Sequence, residues 1–249
     1  MPHSESHPRL SHIKKIVAQK YGHTIWENWD DGTVFETIKR TFVDRIESNL
    51  QVLAEPDWQA ILEKVVPLFS KKFIAKGLDR GWQQAFNILN EAEAYRWLST
   101  KGFAGLHFIP ERSDEQTPDI AALYRQQKWL CEVKTLNRSD REIKNGVGSA
   151  VRSYSDRLED SFISGKLLNV LSVARQQFEG HESDRRLLIM IANFDDLLHL
   201  NVHSYLQQIE KGLAAIQLPK FDVVLLSRPS GNLFDSPMEE CLIPTDAFG

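Results

Sequence analysis

The 249-residue chain has only two cysteines, Cys131 and Cys241. Two cannot build the disulfide framework of a small secreted domain, and Cys131 lies in an apolar run, where it reads as a small buried hydrophobe. A reducing, cytoplasmic setting is the expectation. No stretch approaches the roughly 18 consecutive apolar residues of a membrane helix, so no membrane association is expected. The N-terminal MPHSESHPRLSHIKK lacks the apolar segment of a secretory signal. An excess of positive charge is missing too: the formal net charge is −4 and the pI about 6.1. That excludes a protein that coats polyanions through its overall charge. It does not exclude an enzyme that confines positive charge to one groove. There is no Gly-rich phosphate loop of the P-loop kind, so ATP-driven activity would need a partner. No GxSxG nucleophile motif is present. Internal repeats and low-complexity segments are absent.

What is present falls into two parts, residues 1–80 and 81–249. Residues 1–11 are polar, carry His3 and His7, and read as a mobile tail. From Ser11, a cap for a helix beginning at His12, to about Leu78 the pattern is helical. The run VFETIKRTFVDRIESNL repeats apolar residues near the helical period. Pro56 suits the start of a further helix with Trp58, Ile61, Leu62 and Val65 on one face, and Pro67 interrupts it. After Gly81 the character changes. WQQAFNILNEAEAYRWLSTKGF predicts a helix closed by Gly102. GLHFIPE, PDIAALYR and KWLCEVKTL follow as three strands, then a charged loop over 137–148. SYSDRLEDSFISGKLLNVLSVARQQF predicts one or two helices. RRLLIMIANF is continuously apolar, as in a strand covered on both faces. DDLLHLNVHSYLQQIEKG predicts a helix closed by Gly212, and KFDVVLLSRP a last strand. The order α-β-β-β-α-β-α-β predicts an α/β domain with a mixed sheet flanked by helices, preceded by an all-helical region.

KWLCEVKTL contains an anomaly. A buried strand normally excludes Glu132 and Lys134 unless they are paired or bound to something. Strand side chains alternate, so Leu130, Glu132 and Lys134 point one way, Cys131 and Val133 the other. On the preceding strand Asp119 shares a face with Ala121 and Leu123. With a four-residue loop, Arg125 to Lys128, Asp119 falls opposite Lys134; with a loop two residues shorter it falls opposite Glu132. Either register puts Asp119, Glu132 and Lys134 on one face. Two carboxylates suit a hard divalent cation such as Mg²⁺, which keeps several waters. A neighbouring ammonium can orient a water or meet charge growing on a phosphate. The competing reading is a structural ion pair on a partly exposed strand.

PDIAALYRQQKWLCEVK resembles the motif of the PD-(D/E)xK nuclease superfamily, whose fold is that of restriction endonucleases. The resemblance covers roughly residues 82–228. It implies a nuclease acting on nucleic acid, expected to be DNA, with Mg²⁺ as cofactor and Mn²⁺ able to substitute. By it, Asp119 and Glu132 bind the metal, the main-chain carbonyl of Val133 is a further ligand, and Lys134 assists catalysis. Many members add a Glu from the preceding helix. EAEAYRWLSTKGF resembles that helix, and on spacing Glu91 matches better than Glu93, about 200° around the helix from it. RecB-type members carry a Gln and an aromatic in the next helix; Gln176 and Gln177 lie there, but no Tyr follows one turn on. An alternative expectation is a catalytically inactive nuclease-like module that binds nucleic acid or a protein. Residues 1–80 would serve substrate binding, a protein partner or a homodimer.

Other candidates are weaker. Arg138, Arg141 and Lys144, in the loop after the acid-x-Lys strand, are candidate nucleic-acid contacts, with Asp140 and Glu142 interleaved. Lys166 and Arg175 could face a phosphate or simply water. Lys71, Lys72, Lys76 and Arg80 form a second basic cluster. His199 and His203 have zinc-ligand spacing without the Glu of HExxH. Trp82, Trp97 and Trp129 read as core.

Overall fold

A computed structural model describes residues 7–22, 36–69, 78–111, 116–136, 162–192, 202–215, 221–227 and 239–243. The chain divides into two compact units, residues 1–108 and 109–249. The long helix that contains Gly81 packs with the helices before it.

In the first unit α1 spans Pro8–Tyr21, α2 Glu36–Gln51, α3 Glu55–Val65 and α4 Leu78–Thr100, with a 3₁₀ turn at Val66–Phe69 and strand β1 at Ala104–Phe108. Helix α1 begins four residues before His12 and absorbs what composition marked as tail. Pro8 at its first position presets the helical φ, and its missing N–H costs nothing there. The Glu47 carboxylate of α2 accepts the N–H groups of Arg9 (3.1 Å) and Leu10 (2.9 Å). Arg9 returns the favour by donating its guanidinium to the carbonyls of Leu50 and Leu53 at the end of α2. One helix start and one helix end thus satisfy each other's orphan groups. His7 contacts Asp44 at 2.5 Å. Leu10, Ile13 and Val17 form the buried face of α1. The face predicted for α3 is the one buried, and Pro67 sits in the tighter turn that ends it.

Helix α4 is buried on every side from Leu89 to Tyr95, which an amphipathic pattern would not announce. It ends as predicted: Gly102 takes φ +85°, the Phe103 N–H reaches the Leu98 carbonyl and the Gly102 N–H that of Ser99, both at 3.1 Å. Asp57 of α3 accepts the Phe108 N–H at 2.7 Å through one oxygen, and its other oxygen lies 3.1 Å from the Tyr95 hydroxyl. Burial first, then the charge of Asp57 and this hydrogen bond, push Tyr95 up to about 12.

The second unit is α/β. Its mixed sheet runs β2 (Ile120–Tyr124), β3 (Gln127–Leu136), β4 (Arg185–Ala192), β5 (Asp222–Ser227) and β6 (Glu239–Ile243), in that order. The β2–β3 and β5–β6 pairs are antiparallel, β3–β4 and β4–β5 parallel. A π-helical turn, Phe162–Leu167, leads into α5 (Leu168–Phe178), and α6 spans Val202–Ala215. Leu171, Ala174 and Phe178 of α5 and Ile209 and Leu213 of α6 pack with Leu130, Leu136, Leu188, Met190, Val223 and Leu225. The β4 positions are buried throughout from Leu187 to Ile191, as an apolar run predicts.

Two sequence expectations fail in this unit. Helix α6 runs three residues past Gly212 instead of ending there, since buried Leu213 holds the last turn to the core. Strand β6 was not foreseen, because EECLI is short and begins with two acids.

Candidate functional site

The hairpin that carries the anomalous charges is closed by two residues. Tyr124 pairs with Gln127, and Ile120 with Cys131. Arg125 and Gln126 have φ of +49° and +65°, so the turn is of the I′ type, whose twist matches the strands it joins. The shorter of the two loops considered is therefore the one adopted. One step beyond the Ile120–Cys131 pair, Asp119 stands beside Glu132 rather than Lys134.

The local hydrogen bonds agree with that register. The Val133 N–H donates to Asp119 Oδ2 at 2.8 Å, and Asp119's own carbonyl accepts the Ile109 N–H at 2.9 Å. Asp119 is thereby fixed at both its side chain and its main chain, just where β2 begins. A strand residue's N–H and C=O leave on the same side. The Val133 carbonyl accordingly points to the edge where Asp119 stands.

Glu132 and Lys134 alternate with Leu130 and Leu136, so they share the face on which α5 and α6 pack. The Glu132 side chain has no solvent exposure, whereas that of Lys134 is 25% exposed. The Lys134 ammonium forms an ion pair with Glu132 Oε1. A buried carboxylate is tolerable only with such a countercharge. Cys131, on the opposite face, registers both acids. Burial above all, then the charges of Asp119 and Glu132, push its thiol far up, so it is an inert, protonated group.

The structure thus brings together Asp119, Glu132, Val133 and Lys134. Glu91 stands in the first unit, buried on α4, where its carboxylate pairs with Lys64 of α3 at 2.9 Å. Glu93 is also buried, because α4 is enclosed on all sides there. The partner role of Lys64 had no sequence signal; it follows only from α3 lying along α4. Lys166 is half-buried in the π-helical turn. Arg175 lies on the solvent side of α5, 3.4 Å from Glu179, one turn on. Gln176 is exposed and Gln177 half-buried. Trp97 and Trp129 are core residues, as expected. Arg138, Arg141 and Lys144 lie outside the described residues, as do Lys71, Lys72, Lys76, His3, His199 and the side chains of Trp82, Arg80 and His203.

Among the described residues no three His, Cys, Asp or Glu side chains gather as a metal-holding group. A pair of carboxylates with one carbonyl still fits a cation that keeps most of its ligands as water, as Mg²⁺ does. No protein-family profile, curated protein or solved structure matches the chain.

Proposed function

We propose that the chain is a divalent-metal-dependent nuclease of the restriction-endonuclease-like kind that hydrolyses phosphodiester bonds, in DNA. The observation that carries this reading is the convergence of Asp119 and Glu132 where β2 begins alongside β3, with Lys134 next on the same face. Asp119, Glu132 and the Val133 carbonyl would hold Mg²⁺. When bound, the ion would polarise a phosphoryl oxygen and make an attacking water more acidic. The Val133 amide holds Asp119 in one orientation, so the acid needs little reorganisation at the moment of reaction. Glu132, paired with Lys134, supplies the second negative charge. The Lys134 ammonium, partly exposed on its long stem, can meet the negative charge that grows on the phosphate. Lys166, Arg138, Arg141 and Lys144 would contact the phosphate backbone, and the first unit would serve substrate or partner binding.

The direct test incubates the full chain with plasmid, linear duplex, single strands and RNA, with and without Mg²⁺ or Mn²⁺. Cleavage that needs metal, and that disappears in Glu132→Ala and Lys134→Ala, supports the reading. Absence of cleavage of every substrate, or full activity in both variants, overturns it.

One observation favours a second reading. Glu132 is fully enclosed and its charge is met by Lys134, as in a purely structural ion pair. The chain would then be an inactive nuclease-like module for nucleic acid or a protein. Such a module would gain no thermal stability from Mn²⁺ or Ca²⁺, whereas a metal site gains it with ligand concentration.

A further inference from the structure

Lys134 has a second consequence, which rests on the metal-site reading. We infer that its ammonium is the resident counter-ion of Glu132 in the metal-free protein and works against metal binding, so that occupancy and folding are coupled through this one side chain. Three observations lead there. Glu132 is withdrawn from water completely, so its negative charge requires a cation nearby. The cation present is the Lys134 ammonium, seated on Oε1. Lys134 alone of the pair keeps solvent exposure, a quarter of its side chain, and its four-carbon stem lets the charge swing outward.

A divalent cation arriving between Asp119 and Glu132 meets a positive charge no more than one carboxylate away. It must either displace the ammonium or bind against its repulsion. Either route makes Lys134 lower the affinity of the site for metal. The same residue that assists phosphate chemistry would thus weaken the cation's hold, and its removal would have opposite effects on binding and on cleavage. The metal-free site would not be an open, charged hollow. It would be closed by its own lysine until the metal and the phosphate draw the ammonium out.

The test titrates Mn²⁺ and Ca²⁺ into the full-length wild type, Lys134→Met and Glu132→Gln. Binding is read by calorimetry and by thermal unfolding. Lys134→Met should bind the metal roughly tenfold more tightly, as repulsion between an ammonium and a dication at that spacing requires. Its melting temperature should fall without metal and recover with it, and Glu132→Gln should lose the metal response. Lys134→Met could unfold outright, since it removes the ammonium paired with the enclosed Glu132. A measurement on the wild type therefore stands beside it: the Lys134 side-chain resonance in ¹⁵N-lysine-labelled protein should move on addition of Ca²⁺. Equal or weaker metal binding by Lys134→Met, or an unmoved lysine resonance while the wild type demonstrably binds metal, overturns the inference and leaves the nuclease reading standing. A wild type that binds neither ion removes both.

Discussion

Two buried carboxylates, one in each unit, are compensated in contrasting ways. Asp57 in the first unit meets a main-chain N–H and a tyrosine hydroxyl that is itself buried. Those donors are fixed by helix and strand, so they cannot leave without local unfolding. Glu132 in the second unit is met by a lysine at the tip of a flexible, partly exposed side chain. A carboxylate whose donors are a main-chain amide and the hydroxyl of a buried ring is a fastener. One whose partner sits on a long, partly exposed stem would, on the proposed function, be an exchangeable position. Burial does not separate the two, since both are enclosed; the mobility of the partner does.

The largest effect that sharpens this contrast is on activity. Asp119→Asn or Glu132→Gln should lower metal-dependent cleavage by roughly 10²-fold or more, as loss of a charge-stabilising group in a reaction centre does. Circular dichroism should show the fold retained, while Asp57→Asn should leave cleavage per folded molecule unchanged. The next effect is on stability. Asp57→Ala strands the Phe108 amide, while the Tyr95 hydroxyl keeps the Leu106 carbonyl at 3.0 Å; it should cost about 2–3 kcal/mol in urea unfolding, and a loss under about 1 kcal/mol would dissolve the distinction. Glu47→Ala removes the acceptor of two α1 amides and should cost about 1–2 kcal/mol, again without touching cleavage. A smaller effect is on alkaline stability. Tyr95 titrates near 10 when unfolded and about 12 when folded. Its neutral form is favoured by the fold, so its contribution is complete below pH 10 and lost as pH rises toward 12. Tyr95→Phe should flatten the fall in melting temperature across that window. The smallest is a gain: Gln126→Gly, at φ +65°, should stabilise the hairpin by about 0.5–1 kcal/mol.

Most of the elements could be read from the chain because their signals are local. The alternation in β3, the apolar run of β4, Pro56 before α3 and Gly102 after α4 each act over a few residues. Asp119, Glu132 and Lys134 were legible as one constellation because a strand's period places them on one face whichever loop closes it. Other features depended on distant residues. The start of α1 rests on Glu47, far along the sequence, and composition alone assigned those residues to a tail. Glu91 could be placed on a helix, but its pairing with Lys64 could not, since nothing in either segment names the other. The hairpin register stayed open between two loops because Arg125-Gln126 lacks the Asn-Gly that normally marks an I′ turn. Strand β6 escaped because its acids mask a short apolar segment that pairs with β5 and lies against α6.

The glycine-free bend at Arg125-Gln126 also acts as a ruler. About five strand residues, on the order of 17 Å, separate it from Glu132, yet its length alone determines which residue Asp119 faces. Were the same strands closed by a four-residue loop, with Tyr124 paired to Trp129, Asp119 would face Lys134 instead. A remote tight corner thereby governs whether the two acids ever meet.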